Sequence, residues 1–426
     1  MKSDEADVPS DGRGQRAARA PTRRRIVRLA VALVVLAAVG YGGWRGFLEY
    51  LYMQIKPAAL AAAPAVRELP SPRASGCAGC HRDIYDEWRS SLHGQAMSDP
   101  FFVAEYDEQK RIFACLRCHA PLRAQQPTIV SGLARIAPAR PRERPNPDYD
   151  RELHDEGVTC LVCHQRGDAL VGPLPYDGAP SLHAVTVDPD FGANALCARC
   201  HAAEAFPFSD VRRPVLPTLH EHDDYRRGGG TSRCVECHFS RVDRPIAQGG
   251  PTRQGRRHTL LGARDRAFLR DHLTAGARCD VSAAGSTCVV SLTNRAGHRY
   301  PTGEPGRELV VEIAPDDGSA RDARSILRRM DRIDLVEKPG EDNTLLPHET
   351  REVKVSARVP ASLRVRFCLY EASDPLLKAV GVAYEDVCQT LHAFRVDATG
   401  AVTPTPEPAA APSDAGAEPA TRFKRP

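Results

Sequence analysis

One pentapeptide pattern, repeated five times, constrains this chain more than any other feature. C-x-x-C-H occurs as CAGCH at Cys77–His81, CLRCH at Cys115–His119 and CLVCH at Cys160–His164. It recurs as CARCH at Cys197–His201 and CVECH at Cys234–His238. Two cysteines one helical turn apart can form thioethers to the two vinyl groups of one haem. The next residue, histidine, then lies beneath the iron as its proximal ligand. Paired C-x-x-C motifs also build zinc sites and redox dithiols, but neither requires a histidine directly after the second cysteine. Here that histidine is present in every copy. Five covalent haem c groups are therefore expected, attached through Cys77, Cys80, Cys115, Cys118, Cys160, Cys163, Cys197, Cys200, Cys234 and Cys237. The proximal ligands are His81, His119, His164, His201 and His238.

This reading accounts for an unusual composition. Aromatic residues make up only 6% of the 426, while Gly (32) and Pro (35) are frequent. Porphyrins are large apolar plates, so short helices and loops can pack around them with few aromatic side chains. The reading predicts a loop-rich α-helical multihaem cytochrome c domain over residues 75–275, with a short helix at each motif.

The net charge of +4 is concentrated at one end. Residues 1–28 carry eight Lys/Arg against four acids, and the remainder of the chain is formally neutral. A body without a basic surplus argues against nucleic-acid binding. The basic tail precedes LAVALVVLAAVGYGGW, Leu29 to Trp44, and a weaker apolar run to Ile55. That order predicts a transmembrane helix over 29–55 with the N-terminus in the cytoplasm. Residues 56–74 would be a linker. A cleaved signal peptide is the alternative, although the small-residue stretch AALAAAPA lies far beyond the apolar run.

Ten further histidines are available for the far side of each iron. Of the four methionines only Met97 lies near a motif, so histidine is expected as the sixth ligand throughout. Several segments resemble multihaem cytochromes related to the tetrahaem cytochrome that accepts electrons from hydroxylamine oxidoreductase. CAGCHRDIYDEWRSSLHGQAM resembles the opening of that superfamily, and EGVTCLVCH is similar to the surroundings of one of its internal haems. RRHTLLGARDRAFLRDHL and GHRYPTGEPGREL resemble its later segments. The resemblance covers roughly residues 75–315 and implies His93, His258 and His298 as distal ligands. His183, ahead of the fourth motif, and His220, in PTLHEH, complete a set of five, with His154 and His222 as substitutes.

From Cys279 onward the pattern changes. CDVSAAGSTCVVSLTN, ELVVEIAPDDG, REVKVSARVP, SLRVRFCLYEA and LHAFRVDATG alternate apolar and polar residues between turn signals. This predicts an immunoglobulin-like β-sandwich over 276–398. Disulfides Cys279–Cys288 and Cys368–Cys388 would suit an oxidising compartment. The Pro/Ala-rich residues 399–426 would form a disordered tail.

The expectation for function is electron transfer along a chain of closely spaced haems in the periplasm, anchored to the inner membrane. Quinol-linked membrane enzymes or periplasmic cytochromes would be the partners. The alternative is a multihaem reductase or oxidase of a small nitrogen or sulfur compound, which needs one iron with an open distal position.

Overall fold

The computed structural model describes residues 23–55, 71–111, 113–135, 140–174, 183–202, 216–282, 285–327 and 343–405. Among the described residues, one helix, Arg23–Ile55, is long and apolar enough to cross a membrane. It contains the whole expected span. Of the linker expected at 56–74, residues 56–70 lie outside the described residues, and the first motif helix already starts at Ala74.

A short helix overlaps each of the five motifs: Ala74–Ala78, Leu116–His119, Cys160–His164, Asn194–His201 and Cys234–His238. Two further helices have identifiable starts. Pro100–Glu108 begins with Pro at its first position, and the Asp99 carboxylate accepts from the Phe101 and Phe102 amides at 3.1 and 3.3 Å. Arg266–Asp271 is capped by Asp265, which accepts from Phe268 N at 2.6 Å. The Pro/Arg-rich stretch after the second motif is partly a strand, Arg140–Pro145, paired with Thr128–Arg135. Thr128 Oγ1 donates to Glu143 across that pair at 2.8 Å.

The C-terminal half is a two-sheet antiparallel sandwich. Its strands are β1 (Leu273–Ser282), β2 (Gly285–Asn294), β3 (Glu308–Pro315) and β4 (Asp322–Leu327). They continue as β5 (Thr350–Ala357), β6 (Ala361–Cys368), β7 (Cys388–Val396) and β8 (Val402–Pro404). One sheet has the order β5-β2-β1, the other β4-β3-β6-β7-β8. Both expected disulfides are present, each between directly opposed residues of neighbouring strands: Cys279 with Cys288 and Cys368 with Cys388.

Two boundaries differ from expectation. The sandwich starts at Leu273 and runs to Pro404, because Val402 pairs with Val396 and adds an edge strand where a disordered tail was expected. The rest of the tail, from residue 406, lies outside the described residues. Strand β3 is buried on both faces, so Glu308 and Glu312 need partners there. Tyr384 Oη donates to Glu308 at 2.7 Å, and Arg366 faces Glu312 at 3.5 Å.

The sandwich core holds Leu292, Leu309, Ile313, Leu345 and Leu363, all essentially inaccessible, and extends to Phe101 and Leu269 from the haem-motif half. By contrast, that half has only small clusters of its own among the described residues. One joins Leu122, Leu153, Leu161, Val162 and Leu170, another Tyr106, Leu116 and Ala120. Such a half depends on something else to complete its interior.

Candidate haem centres

The third, fourth and fifth motifs are helical through both cysteines, which places each pair on one face a turn apart, while the first helix ends before Cys80 and Cys115 caps the second. None of the ten motif cysteines is in a disulfide. Four of the five motif histidines are fixed through Nδ1 by a backbone carbonyl. The acceptors are Ile246 O for His81 (2.7 Å), Ala96 O for His119 (2.8 Å), Val171 O for His164 (3.0 Å) and Leu261 O for His238 (2.6 Å). A carbonyl can only accept, so Nδ1 carries the proton and Nε2 keeps its lone pair for a metal.

Four motif histidines each face a second histidine. Ring centres are 6.2 Å apart for His81 and His183, 6.1 Å for His201 and His93, 6.2 Å for His164 and His258, and 6.3 Å for His238 and His298. Imidazole nitrogen bonds a metal at about 2 Å, so two rings on opposite sides of one ion, each bonding through Nε2, have centres about 6 Å apart. The separations match this span. Burial also holds these rings neutral: His93 and His298 are pushed down to about 3, His201 and His258 to about 4. Burial lowers His119, His164 and His238 as well. Neutral imidazoles on adjacent thiol pairs are the donor set covalent haem c requires, so the residues present fit that group.

His119 is the exception. Among the described residues no histidine ring stands opposite it. Its face is stacked on Phe102, centre to centre 3.7 Å and 8° from parallel. His220 was the expected fifth distal residue, but it is exposed on helix Thr218–Arg227, while His222 on the same helix is buried. His222 Nδ1 donates to Gly297 O at 2.9 Å and its ring packs on Tyr225. His154 donates to Gln125 O at 2.6 Å and lies edge-on to Tyr149. Met97 packs with the cluster of Tyr106, Leu116 and Ala120.

Thiols of different motifs are neighbours. Cys77 and Cys160, Cys118 and Cys200, and Cys197 and Cys234 lie close enough to shift each other's titration. These sulfurs stand where thioether sulfurs would be in the loaded protein. The first attachment site therefore adjoins the third, and the fourth adjoins both the second and the fifth.

One supporting group was not legible as functional. Glu87, on helix Arg82–Ser90, receives both guanidinium nitrogens of Arg244 at 2.8 and 2.7 Å, Arg257 at 3.0 Å and the backbone N–H of His258 at 2.8 Å. Burial alone would raise its pKa, but these donors hold it below the ordinary value. Its stabilising contribution is therefore full above the usual carboxylate pKa, about 4.3, and is lost as pH falls through the depressed folded value. Glu87→Gln should destabilise the protein by about 3 kcal/mol at neutral pH, the cost of breaking a largely buried pair. The loss should shrink toward zero in acid. Thermal melts of both proteins across pH check this; a pH-independent difference would contradict it.

Residues 76–137 match the family model described as "Cytochrome c554 and c-prime". Among solved structures, the penta-heme cytochrome c552 from Thermochromatium tepidum is similar, with a TM-score of 0.57 and 18% identity. The likeness covers 78% of this chain and 98% of that one. No curated protein gives a match. Together with the five motifs, these findings support a multihaem c-type cytochrome fold with covalently bound haem.

Proposed function

We propose that this chain is a membrane-anchored, periplasmic c-type cytochrome with five haems that carries electrons between other redox proteins. The observation that carries the reading is the set of four histidine pairs, each built on a motif histidine at bis-imidazole separation. His183, His93, His258 and His298 would take the distal positions on the irons held by His81, His201, His164 and His238. Bound haem supplies a reversible one-electron iron couple, which ligation by two histidines sets at low potential. The protein orients each proximal imidazole through a carbonyl and shields the rings from water. Thiol adjacency supports a path from the first site through the third, and a junction at the fourth that reaches the second and fifth. Helix Arg23–Ile55 supports the anchor, and two disulfides support an oxidising compartment. The order β5-β2-β1 against β4-β3-β6-β7, with β8 added at the edge, supports an immunoglobulin-like reading of the sandwich, which would hold His298 against the haem half. Quinol-linked membrane enzymes or periplasmic cytochromes are the partners this reading implies.

A second reading is favoured by one observation: His119 has no histidine opposite it among the described residues. The iron it holds would then accept a small nitrogen or sulfur compound as an exogenous ligand, as a reductase or oxidase requires. Titrating the reduced protein with carbon monoxide distinguishes the two. Stoichiometric uptake of one molecule per chain is expected from an open His119 centre. No uptake would remove the second reading and leave the carrier.

A further inference from the structure

Two short turns each serve two attachment sites at once. In the first, His93 faces His201, and three residues later the Ala96 carbonyl accepts from His119 Nδ1. In the second, His258 faces His164, and three residues later the Leu261 carbonyl accepts from His238 Nδ1. The same arrangement, a distal histidine followed at i+3 by the acceptor for a different proximal histidine, thus occurs twice. It ties the fourth site to the second and the third to the fifth.

Both turns are held stiffly. In the first, Ala96 N donates to His93 O at 3.3 Å and Val158 N to the same oxygen at 3.0 Å. Gly157, at φ +67°, lies directly against it. A Cβ there would stand 2.8 Å from His93 O and 3.1 Å from Ala96 N, so only glycine permits this approach. The second turn passes through Leu260 at φ +47°, a rare conformation for a bulky residue, and starts at the His258 amide clamped by Glu87. Phe239, next to His238, stands edge-on to His258.

We propose that these turns are mechanical couplers between haem sites, so that ligation of one iron sets the hydrogen bond that tunes another. The proposal rests on the haem-binding reading above. His93 bound to its iron anchors the turn, and the anchored turn presents the Ala96 carbonyl to His119. That hydrogen bond makes His119 a stronger donor, which stabilises the ferric state. Releasing the anchor weakens the bond and raises the potential of the His119 iron. His258 and Leu261 act in the same way on the iron of His238.

The test separates this effect from simple charge interaction between haems. His93→Gly holoprotein and wild type are both titrated potentiometrically in the same saturating imidazole, with visible and EPR detection. Imidazole replaces the missing ligand but cannot replace the tether. With ligands chemically alike at every iron, the variant should regain the wild-type low-spin content, yet one midpoint should remain shifted upward. Coincidence of all midpoints would overturn the coupling. A wild type lacking haem signals would instead overturn the underlying reading, and the proposal with it. Gly157→Ala, which changes no ligand, provides a second arm. It should perturb two centres together, the low-spin signal of one and the midpoint of another, and a change at one centre or none would overturn the proposal.

Discussion

His298→Ala should convert one haem from low spin to high spin while leaving the other distal pairs intact. His298 comes from the segment between β2 and β3, yet its ring stands 6.3 Å from His238 of the fifth motif. Its backbone is fixed independently of any metal. Asn294 donates to His298 O at 2.8 Å and to Leu345 O at 3.1 Å, and His298 Nδ1 donates to Arg299 O at 2.9 Å. Nearby, Glu221 receives the Arg299 amide at 3.2 Å and the Thr302 hydroxyl at 2.6 Å. The loop should therefore persist when the ring is removed, so the change is one of ligation and not of folding. The midpoint of that centre should also rise, because loss of a strong axial donor favours ferrous iron. EPR of the oxidised variant checks this, and an unchanged low-spin signal would sink the assignment.

Withholding haem should have the larger structural effect and should divide the chain. The motif helices are 5, 4, 5, 8 and 5 residues long, too short to persist without tertiary packing. The apolar clusters around them are small. The sandwich has a continuous core and two disulfides. Chain produced without haem attachment should keep hydrogen-exchange protection across β1–β8 and lose it at all five motifs. Helices Pro100–Glu108 and Arg266–Asp271 should stay partly protected, because Phe101 and Leu269 belong to the sandwich core. Protection of the motif helices in haem-free chain would show that the half folds on its own contacts.

These expectations also mark what sequence could and could not reveal. Covalent attachment fixes residue types and spacing locally, so the motifs are visible without a structure. The disulfides and most sandwich strands are visible for a similar reason, since facing residues on a hairpin and two-residue alternation are short-range patterns. The pairing of distal to proximal histidines is a tertiary relation. His183 precedes the fourth motif in the chain but faces the histidine of the first. On helix Thr218–Arg227 both His220 and His222 lie among polar neighbours, and two positions amount to about 200° of rotation. Nothing local marks His222 as the inward one. The carbonyls that fix the proximal rings belong to Ile246, Ala96, Val171 and Leu261, and any residue can supply a carbonyl. Strand Arg140–Pro145 was hidden because its sequence, RPRERP, holds only charged residues and proline and lacks the apolar–polar alternation of a strand.

The central claim is that five haems are attached and that four of them have histidine on both sides. Spin-quantified EPR with near-infrared magnetic circular dichroism on the oxidised holoprotein, with haem counted by intact mass, tests it most directly. The expected result is five haems per chain with low-spin bis-histidine centres at the four pairs built on His81, His164, His201 and His238. Fewer than five haems, or fewer than four bis-histidine centres, would contradict it.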